Sequence, residues 1–591
     1  MCGIFAALLQ AQCGNKHITT YKNLLRLWSN TTHRGPDEGK MEFVVPKTVI
    51  FGFHRLCING LDSESGQPIE DENRRCSLIC NGEIYNTEEL KLHMLTQGVK
   101  MKSRSDCEVI VHLYLRYGIA KTLDMLDGVF GLALYDRQTQ ELHVARDLLG
   151  IRPLFWSCTP NDSPCNTPVQ LALASEAKSL LCMRDVQQFP PGTWRTWKLS
   201  SADGSLLNTC GQGLIRSDVR HAAPPFDASG VCGLSDSHGD DREHERLAKL
   251  RQLFHTAVRK RLLLSDRPVG CLLSGGLDST LVAAVLMQEM RKAGAGKLNT
   301  YSIGMPGSVD LRWARVAADY LGTEHHEICL TEADFLNAIP RTVWHTESFD
   351  TTTIRASVGN LLISEYIRDL SEDVVIFVGD VADELFASYR GFCQAPDRKS
   401  FFDANRTMLF DIHQYDVLRS DRTISSAGLE ARVPFADLDL MLEVLQMDPG
   451  LKMFHSGGVA VAGGDNNQKN HVMEKHVLRR AFEGYLPKDL LYRRKEAFSD
   501  GVSSDKRDWF VAIREHVDPM FSEADLKHQQ LKDISSGLPR VPDKESLWYR
   551  QIYDSYFAQS MPNPFSHNRG YWRHPFCDVN ADPSARLLDC Y

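Results

Sequence analysis

Short apolar runs recur through residues 1 to about 210, among them Val44-Val45, Thr48-Val49-Ile50-Phe51 and Leu132-Ala133-Leu134-Tyr135, broken by Gly, Asn, Asp and Pro. That spacing predicts a β-rich segment. Residues 211–245 carry Gly, Ser, Asp and His with little apolar periodicity and read as a flexible linker. The pattern then changes. Val269-Gly270-Cys271-Leu272-Leu273 predicts a buried strand, followed by a glycine loop and a helix from about Ser279. Residues 298–305 predict a second strand. The helix after it sets Trp313, Val316, Ala317, Tyr320 and Leu321 on one face. A further apolar run, Val374-Val375-Ile376-Phe377-Val378, follows more helical sequence. Strands alternating with helices imply a parallel sheet covered on both faces, with ligands beyond its carboxyl ends. From about 400 the chain reads as mainly helical, with a Pro-, Asn- and Asp-rich tail. The expected units are 1–210, a linker 211–245, a second domain 246–560 and a tail 561–591.

Composition narrows the function classes. A chain of 591 residues accommodates two to four domains, each with its own core. The net charge of −9 comes without a basic stripe, which argues against nucleic acid as a partner. No apolar run approaches the ~18 residues of a membrane span. The 16 cysteines form no CxxC pair, so reduced thiols of a cytoplasmic protein are expected rather than a zinc site. The first residues show no cationic segment leading into a signal-length apolar core.

Cys2 is the first candidate for chemistry. Removal of Met1 would give it a free α-amino group, and an amine titrating near pH ~8 is a local base for the thiol. Three further segments, Arg34-Gly35-Pro36-Asp37, Asn81-Gly82-Glu83-Ile84-Tyr85-Asn86 and Ser105-Asp106-Cys107-Glu108, follow in order. So do Gly128-Val129-Phe130-Gly131 and Arg146-Asp147 through Gly150-Ile151-Arg152-Pro153-Leu154. Taken alone, Asn81-Gly82 is an ordinary turn and Asp106 a helix cap. Together the set resembles the class II glutamine amidotransferases over residues 1–195. The resemblance implies an α+β fold of antiparallel sheets with helices, of the N-terminal-nucleophile hydrolase type. It makes Cys2 the nucleophile and gives the oxyanion to the Asn81 amide and the Gly82 backbone N–H. Arg55 would grip the glutamine α-carboxylate, and Asp106 with Glu83 the α-ammonium.

The second candidate is Leu273-Ser274-Gly275-Gly276-Leu277-Asp278-Ser279 between a strand and a helix. Glycines there let backbone N–H groups close around phosphate. The lysine of a Walker A loop is missing. The loop resembles that of ATP pyrophosphatases, which cleave ATP to AMP and pyrophosphate. Such cleavage serves to adenylate a carboxylate, giving a leaving group that ammonia displaces. The segments from Glu347 to Ser357, Gly428 to Phe435, Met473-Glu474-Lys475-His476 and Arg494 to Val502 resemble the glutamine-hydrolysing asparagine synthetases, as does Asp582-Pro583-Ser584-Ala585-Arg586. By that resemblance the second domain is an α/β parallel-sheet ATP pyrophosphatase with a helical C-terminal part. ATP and L-aspartate are its substrates, β-aspartyl-AMP its intermediate, and a homodimer its expected assembly. The nucleotide would meet Leu273, Ser274, Gly275, Gly276, Asp278, Ser279, Ile303, Val378, Gly379 and Lys475. Mg2+ would rest on Asp278 and Asp383.

One segment departs from the family pattern. Where the family carries Ser-Gly-Glu-Gly-Ser-Asp-Glu, this chain has Val378-Gly379-Asp380-Val381-Ala382-Asp383-Glu384, and Ala387-Ser388 replaces a pair of glycines. Asp380 stands for a catalytic glutamate one methylene longer. The expectation is synthesis that is slower or differently coupled. The alternative is a glutaminase or regulatory scaffold with a degenerate synthetase half.

Overall fold

The computed structural model describes residues 1–10, 16–158, 169–200, 205–226, 232, 240–454, 473–504, 506–557, 571, 572 and 574–576. The first part of the chain supplies twelve strands. They are β1 (Gly3–Leu9), β2 (Glu38–Val45), β3 (Val49–Arg55), β4 (Ile69–Glu70), β5 (Cys76–Ile84) and β6 (Gly128–Asp136). After these come β7 (Glu141–Arg146), β8 (Phe155–Cys158), β9 (Val169–Ala174), β10 (Gln187–Gln188), β11 (Thr193–Leu199) and β12 (Leu206–Leu214). They form two six-stranded antiparallel sheets, β10-β8-β9-β1-β3-β2 and β12-β11-β7-β6-β5-β4.

Strand alternation explains how the sheets stack. Ile4, Ala6 and Leu8 of β1 share a core with Phe51 and Phe53 of β3, Ile79 of β5, and Ala133 and Tyr135 of β6. Phe5, Ala7 and Leu9 point to the other face. On the outer face of the second sheet, Leu78, Cys80, Leu132 and Leu134 pack with Leu90, Val109, Ile110 and Leu113 of the helices Thr87–Thr96 and Glu108–Met125.

The second half builds a five-stranded parallel sheet in the order β15-β14-β13-β16-β17. Its strands are β13 (Val269–Leu272), β14 (Asn299–Gly304), β15 (Glu324–Cys329), β16 (Val375–Phe377) and β17 (Glu430–Arg432). The expected α+β then α/β order is therefore observed. The helix after β13 begins at Leu277, with Gly276 as its N-cap. No helix among the described residues is long and apolar enough to cross a membrane.

Three expectations need correction. Residues 211–245 are not a linker throughout, because β12 stays paired with β11 to Leu214 and the helix Asp240–Leu263 has already begun. Along Val309–Leu321 the buried stripe is Val309, Ala314, Ala317 and Ala318, while Val316 and Tyr320 are exposed. Alanine lets this helix approach the glycine loop so closely that a Cβ on Gly275 would lie 2.3 Å from the Trp313 carbonyl carbon. The helical region after 400 contains β17, whose charged residues gave no apolar run. The tail is packed where it is described, with His574 only 5% exposed; the motif 582–586 lies outside the described residues.

The two halves meet through buried charge. Arg34 is fully buried, and its Nη1 donates to Glu176 Oε1 at 2.8 Å and to Asp421 Oδ1 at 2.8 Å. Arg422 reaches Glu176 at 2.9 Å and Glu347 at 2.8 Å. Glu347 in turn accepts the backbone N–H groups of Ala177 and Lys178. A second chain of pairs runs from Glu83 to Arg432 (3.2 Å), Arg432 to Glu430 (2.6 Å) and Glu430 to Arg152 (3.2 Å). Removing one member strands its partners in a low-dielectric interior. Arg34→Met is expected to destabilise the chain by about 3–5 kcal/mol, read as a lower urea midpoint for both halves together.

Candidate active sites

The first site forms where β1 begins and β3 and β5 end, near the interface. Pairing of β1 with β3 sets Gly3 opposite His54, which brings Cys2 to the residues after β3. The Leu56 N–H lies 3.5 Å from Cys2 Sγ, and the Arg34 Nε–H donates to the Cys2 carbonyl at 3.0 Å. Burial pushes the thiol up to about 12. With Met1 present, the free amine is not on Cys2: Met1 is wholly buried, and its amine donates to the Leu429 carbonyl at 3.1 Å. Burial lowers that amine to about 6.

Asn81 and Gly82 sit inside β5 rather than in a turn. Asn81 is 1% exposed, and its Nδ2 is buried without a hydrogen-bond partner. Gly82 packs against β6 so tightly that a Cβ would come within 2.5 Å of the Val129 carbonyl oxygen. Glu83 receives Asn59 Nδ2 at 2.7 Å besides Arg432, and burial raises its carboxyl well above the usual range. Asp106, also raised by burial, accepts the Ile84 N–H at 2.7 Å and is not the cap of the following helix, whose N-cap is Cys107. The Arg55 guanidinium is fixed by the carbonyls of Asp62 (2.8 Å) and Gly60.

The second site is a cleft at the carboxyl ends of β13, β14 and β16. Leu273, Ser274, Gly276, Asp278, Ser279, Ile303, Val378, Gly379, Asp380, Asp383 and Lys475 all line it. Gly275 adopts φ +70°, the left-handed conformation that turns the loop into its helix. Lys475 Nζ lies 2.5 Å from Asp278 Oδ2 and 2.5 Å from Asp383 Oδ1, with Lys495 Nζ 2.6 Å from the same Asp383 oxygen. The two lysines hold the Asp383 carboxyl far below the usual carboxylate range, against its burial. Burial raises Asp278, and its Oδ1 is buried without a hydrogen-bond partner. That orphaned oxygen beside a second carboxylate fits a divalent cation completed by phosphate oxygens. Among the described residues no group of three His, Cys, Asp or Glu could hold a metal alone. Asp380 is 3.5 Å from Arg419, which also binds Asp416 at 2.7 Å.

Sequence reasoning assigned no role to several residues of this cleft. Lys495 stood unassigned within the segment from Arg494 to Val502. Arg493 reaches the Ser274 carbonyl at 3.3 Å and Asp310 at 3.0 Å. Tyr389 donates to Glu384 at 2.5 Å and to Asp416 at 3.2 Å. Trp572 and His574 come from the tail. Only folding brings them there.

The departing loop carries backbone strain. Val381 has φ +77° and Ala387 φ +51°. Both fall where the family pattern has small or glycine residues. A β-branched residue in this region is a genuine outlier, at a cost of about 1–3 kcal/mol.

Comparison with known proteins covers both sites. Residues 1–194 match the family model for a glutamine amidotransferase domain, and residues 249–408 and 397–574 the one for asparagine synthase. Similar along the whole chain are proteins named asparagine synthetase (glutamine-hydrolysing). The one from Homo sapiens is 34% identical over 614 residues, the one from Gallus gallus 35% over 604 and the one from Pongo abelii 34% over 614. Each alignment takes in 100% of this chain and 99% of the relative.

The strain sets an order among variants at one position. Val381→Gly is expected to be about 1 kcal/mol more stable than Val381→Ala, the reverse of the usual ranking, because only glycine is at ease at positive φ. Urea midpoints of the two variants give the comparison directly.

Proposed function

The chain belongs to the glutamine-hydrolysing asparagine synthetase family, and from that premise we propose that it converts L-aspartate to L-asparagine with glutamine as nitrogen donor and ATP as activator. The observation that carries this reading is the full-length similarity together with both constellations in one chain.

At the first site Cys2 Sγ attacks the glutamine side-chain carbonyl, ammonia leaves, and water releases glutamate from the thioester. The unpartnered Asn81 Nδ2 supports a role for its amide as an oxyanion donor, with the Gly82 N–H beside it. Removal of Met1 puts the free amine on Cys2, next to the thiol it serves. Arg55 takes the substrate α-carboxylate. Glu83 and Asp106 take the α-ammonium, whose charge opposes the burial that raises both acids.

At the second site ATP lies on the loop from Leu273 to Ser279 and along Ile303, Val378 and Gly379. The aspartate β-carboxylate attacks the α-phosphorus, pyrophosphate leaves, and β-aspartyl-AMP forms. Ammonia then displaces AMP. Lys475 stabilises charge at the α-phosphate. Asp278 and Asp383 would hold magnesium, which would neutralise charge on the pyrophosphate. Asp380 stands by the intermediate in the place of the family glutamate. Ammonia passes between the halves near Arg34, Gly35, Pro36 and Asp37. A cytoplasmic homodimer is part of the same reading.

Purified protein lacking Met1, given aspartate, Mg-ATP and either glutamine or ammonium, is expected to yield asparagine and pyrophosphate in equal amounts. Cys2→Ala should abolish the glutamine route and spare the ammonium route. Glutamate without pyrophosphate would instead favour a degenerate synthetase half. Asp380→Glu is expected to speed asparagine formation, by up to ~100-fold if reach alone is limiting; an unchanged rate would show that this position does not limit the reaction.

A further inference from the structure

His574 belongs to a segment that the function above leaves unused. The segment is fastened at two points. The Trp572 N–H donates to Asp350 Oδ1 at 2.6 Å, while Asp350 Oδ2 accepts the Thr353 N–H at 2.8 Å and caps the helix Thr351–Leu370. The His574 ring stands edge-on to Phe392, with centroids 4.6 Å apart at 88°. It also lies directly over Gly391, where a Cβ would be 2.2 Å from His574 Nδ1. The absence of a side chain at 391 is thus what admits the ring.

The hydrogen bonds then settle its tautomer. The Phe576 N–H donates to His574 Nδ1 at 3.2 Å, so Nδ1 is an acceptor and the proton sits on Nε2. Burial, with Lys495 nearby, lowers the ring to about 4, which keeps it neutral at working pH. Nε2 is buried and has no hydrogen-bond partner. His574 lines the same cleft as Tyr389, Arg419 and Trp572. An unanswered donor on a residue of the cleft wall is a group awaiting an acceptor.

The charges around it indicate which acceptor. Arg419 lines the cleft beside Asp380, yet Asp416 at 2.7 Å and Asp380 at 3.5 Å already answer it. Lys475 and Lys495 are engaged by Asp278 and Asp383. A substrate with two carboxylates therefore needs a donor that no resident acid has claimed. We propose that His574 is a specificity-determining residue of the synthetase cleft, donating its Nε2–H to a carboxylate of the amino-acid substrate. This assignment rests on the aspartate-amidating function proposed above.

Two variants of the full chain test it. His574→Phe keeps a ring packed on Phe392 but removes the Nε2 donor together with the Nδ1 acceptor of the Phe576 N–H; His574→Gln restores a donor and an acceptor. The phenylalanine variant is expected to raise KM for aspartate by about 10- to 100-fold, the worth of a hydrogen bond to a charged group, with KM for ATP within about twofold of the parent. The glutamine variant should recover most of the affinity. An unchanged KM for aspartate in His574→Phe, or equal rises for aspartate and ATP, would overturn the assignment. Should His574→Phe fail to fold, His574→Gln decides: a KM for aspartate near the parent's is required, and a tenfold rise rejects the donor role. Aspartate-dependent thermal stabilisation in the presence of Mg-ATP separates the two levels. A parent protein that neither responds to aspartate nor forms asparagine defeats the function and this assignment together. A parent and a phenylalanine variant that respond alike defeat only the assignment.

Discussion

The structure depends on charge buried where its two halves meet. Arg34 has no exposed surface, and three of its acceptors come from two distant stretches of chain: Glu176 in the first half, Asp421 and Ser425 on one helix in the second. A guanidinium in that position is tolerable only when all of them arrive together. Arg422 makes the same demand from the opposite side, on Glu176 and Glu347. Neither half can bury these groups without the other. The interface therefore acts less as a docking surface than as a shared core written in ions.

Both active sites hang from that core. Arg34 holds the Cys2 carbonyl, and Arg432 reaches Glu83 from a strand of the parallel sheet. That strand, β17, pairs with β16, whose carboxyl end leads into the loop carrying Asp380 and Asp383. A short covalent and hydrogen-bonded route thus joins the glutamine side to the nucleotide side. Glu83, on β5 of an antiparallel sheet, is thereby linked to the cleft through β17 and β16 of the parallel sheet.

How much of this was legible in the sequence follows from what each element signals. Three strands of the parallel sheet, β13, β14 and β16, announced themselves because burial on both faces favours apolar runs, as in Val374 to Val378, whereas the half-exposed edge strand β15, Glu-His-His-Glu-Ile-Cys, did not. The glycine loop was equally plain, since its conformation and its closeness to Trp313 exclude side chains. The three residues of β17 gave no such sign: Glu430 and Arg432 are chosen for partners far away in sequence, not for a period. The stripe on Val309–Leu321 was misplaced because small alanines, rather than the larger Val316 and Tyr320, face the sheet. Arg493, Lys495 and His574 were invisible as site residues, because nothing local requires a cleft to be closed by a segment more than a hundred residues away. The strain at Val381 was half legible. The family pattern marked the substitution, and only the backbone revealed its φ of +77°.

The placement of β17 bears on how such a chain can be recombined. Its strand hydrogen bonds belong to the parallel sheet, but its side chains answer Glu83 and Arg152 in the first half. A chimera cut at the connection between the halves would separate those charges from the partners they were matched to. Glutaminase and synthetase halves of distant relatives are therefore not interchangeable modules, however cleanly the family models divide them. An exchange that keeps function has to carry the segment 421–432 along with the glutaminase it serves.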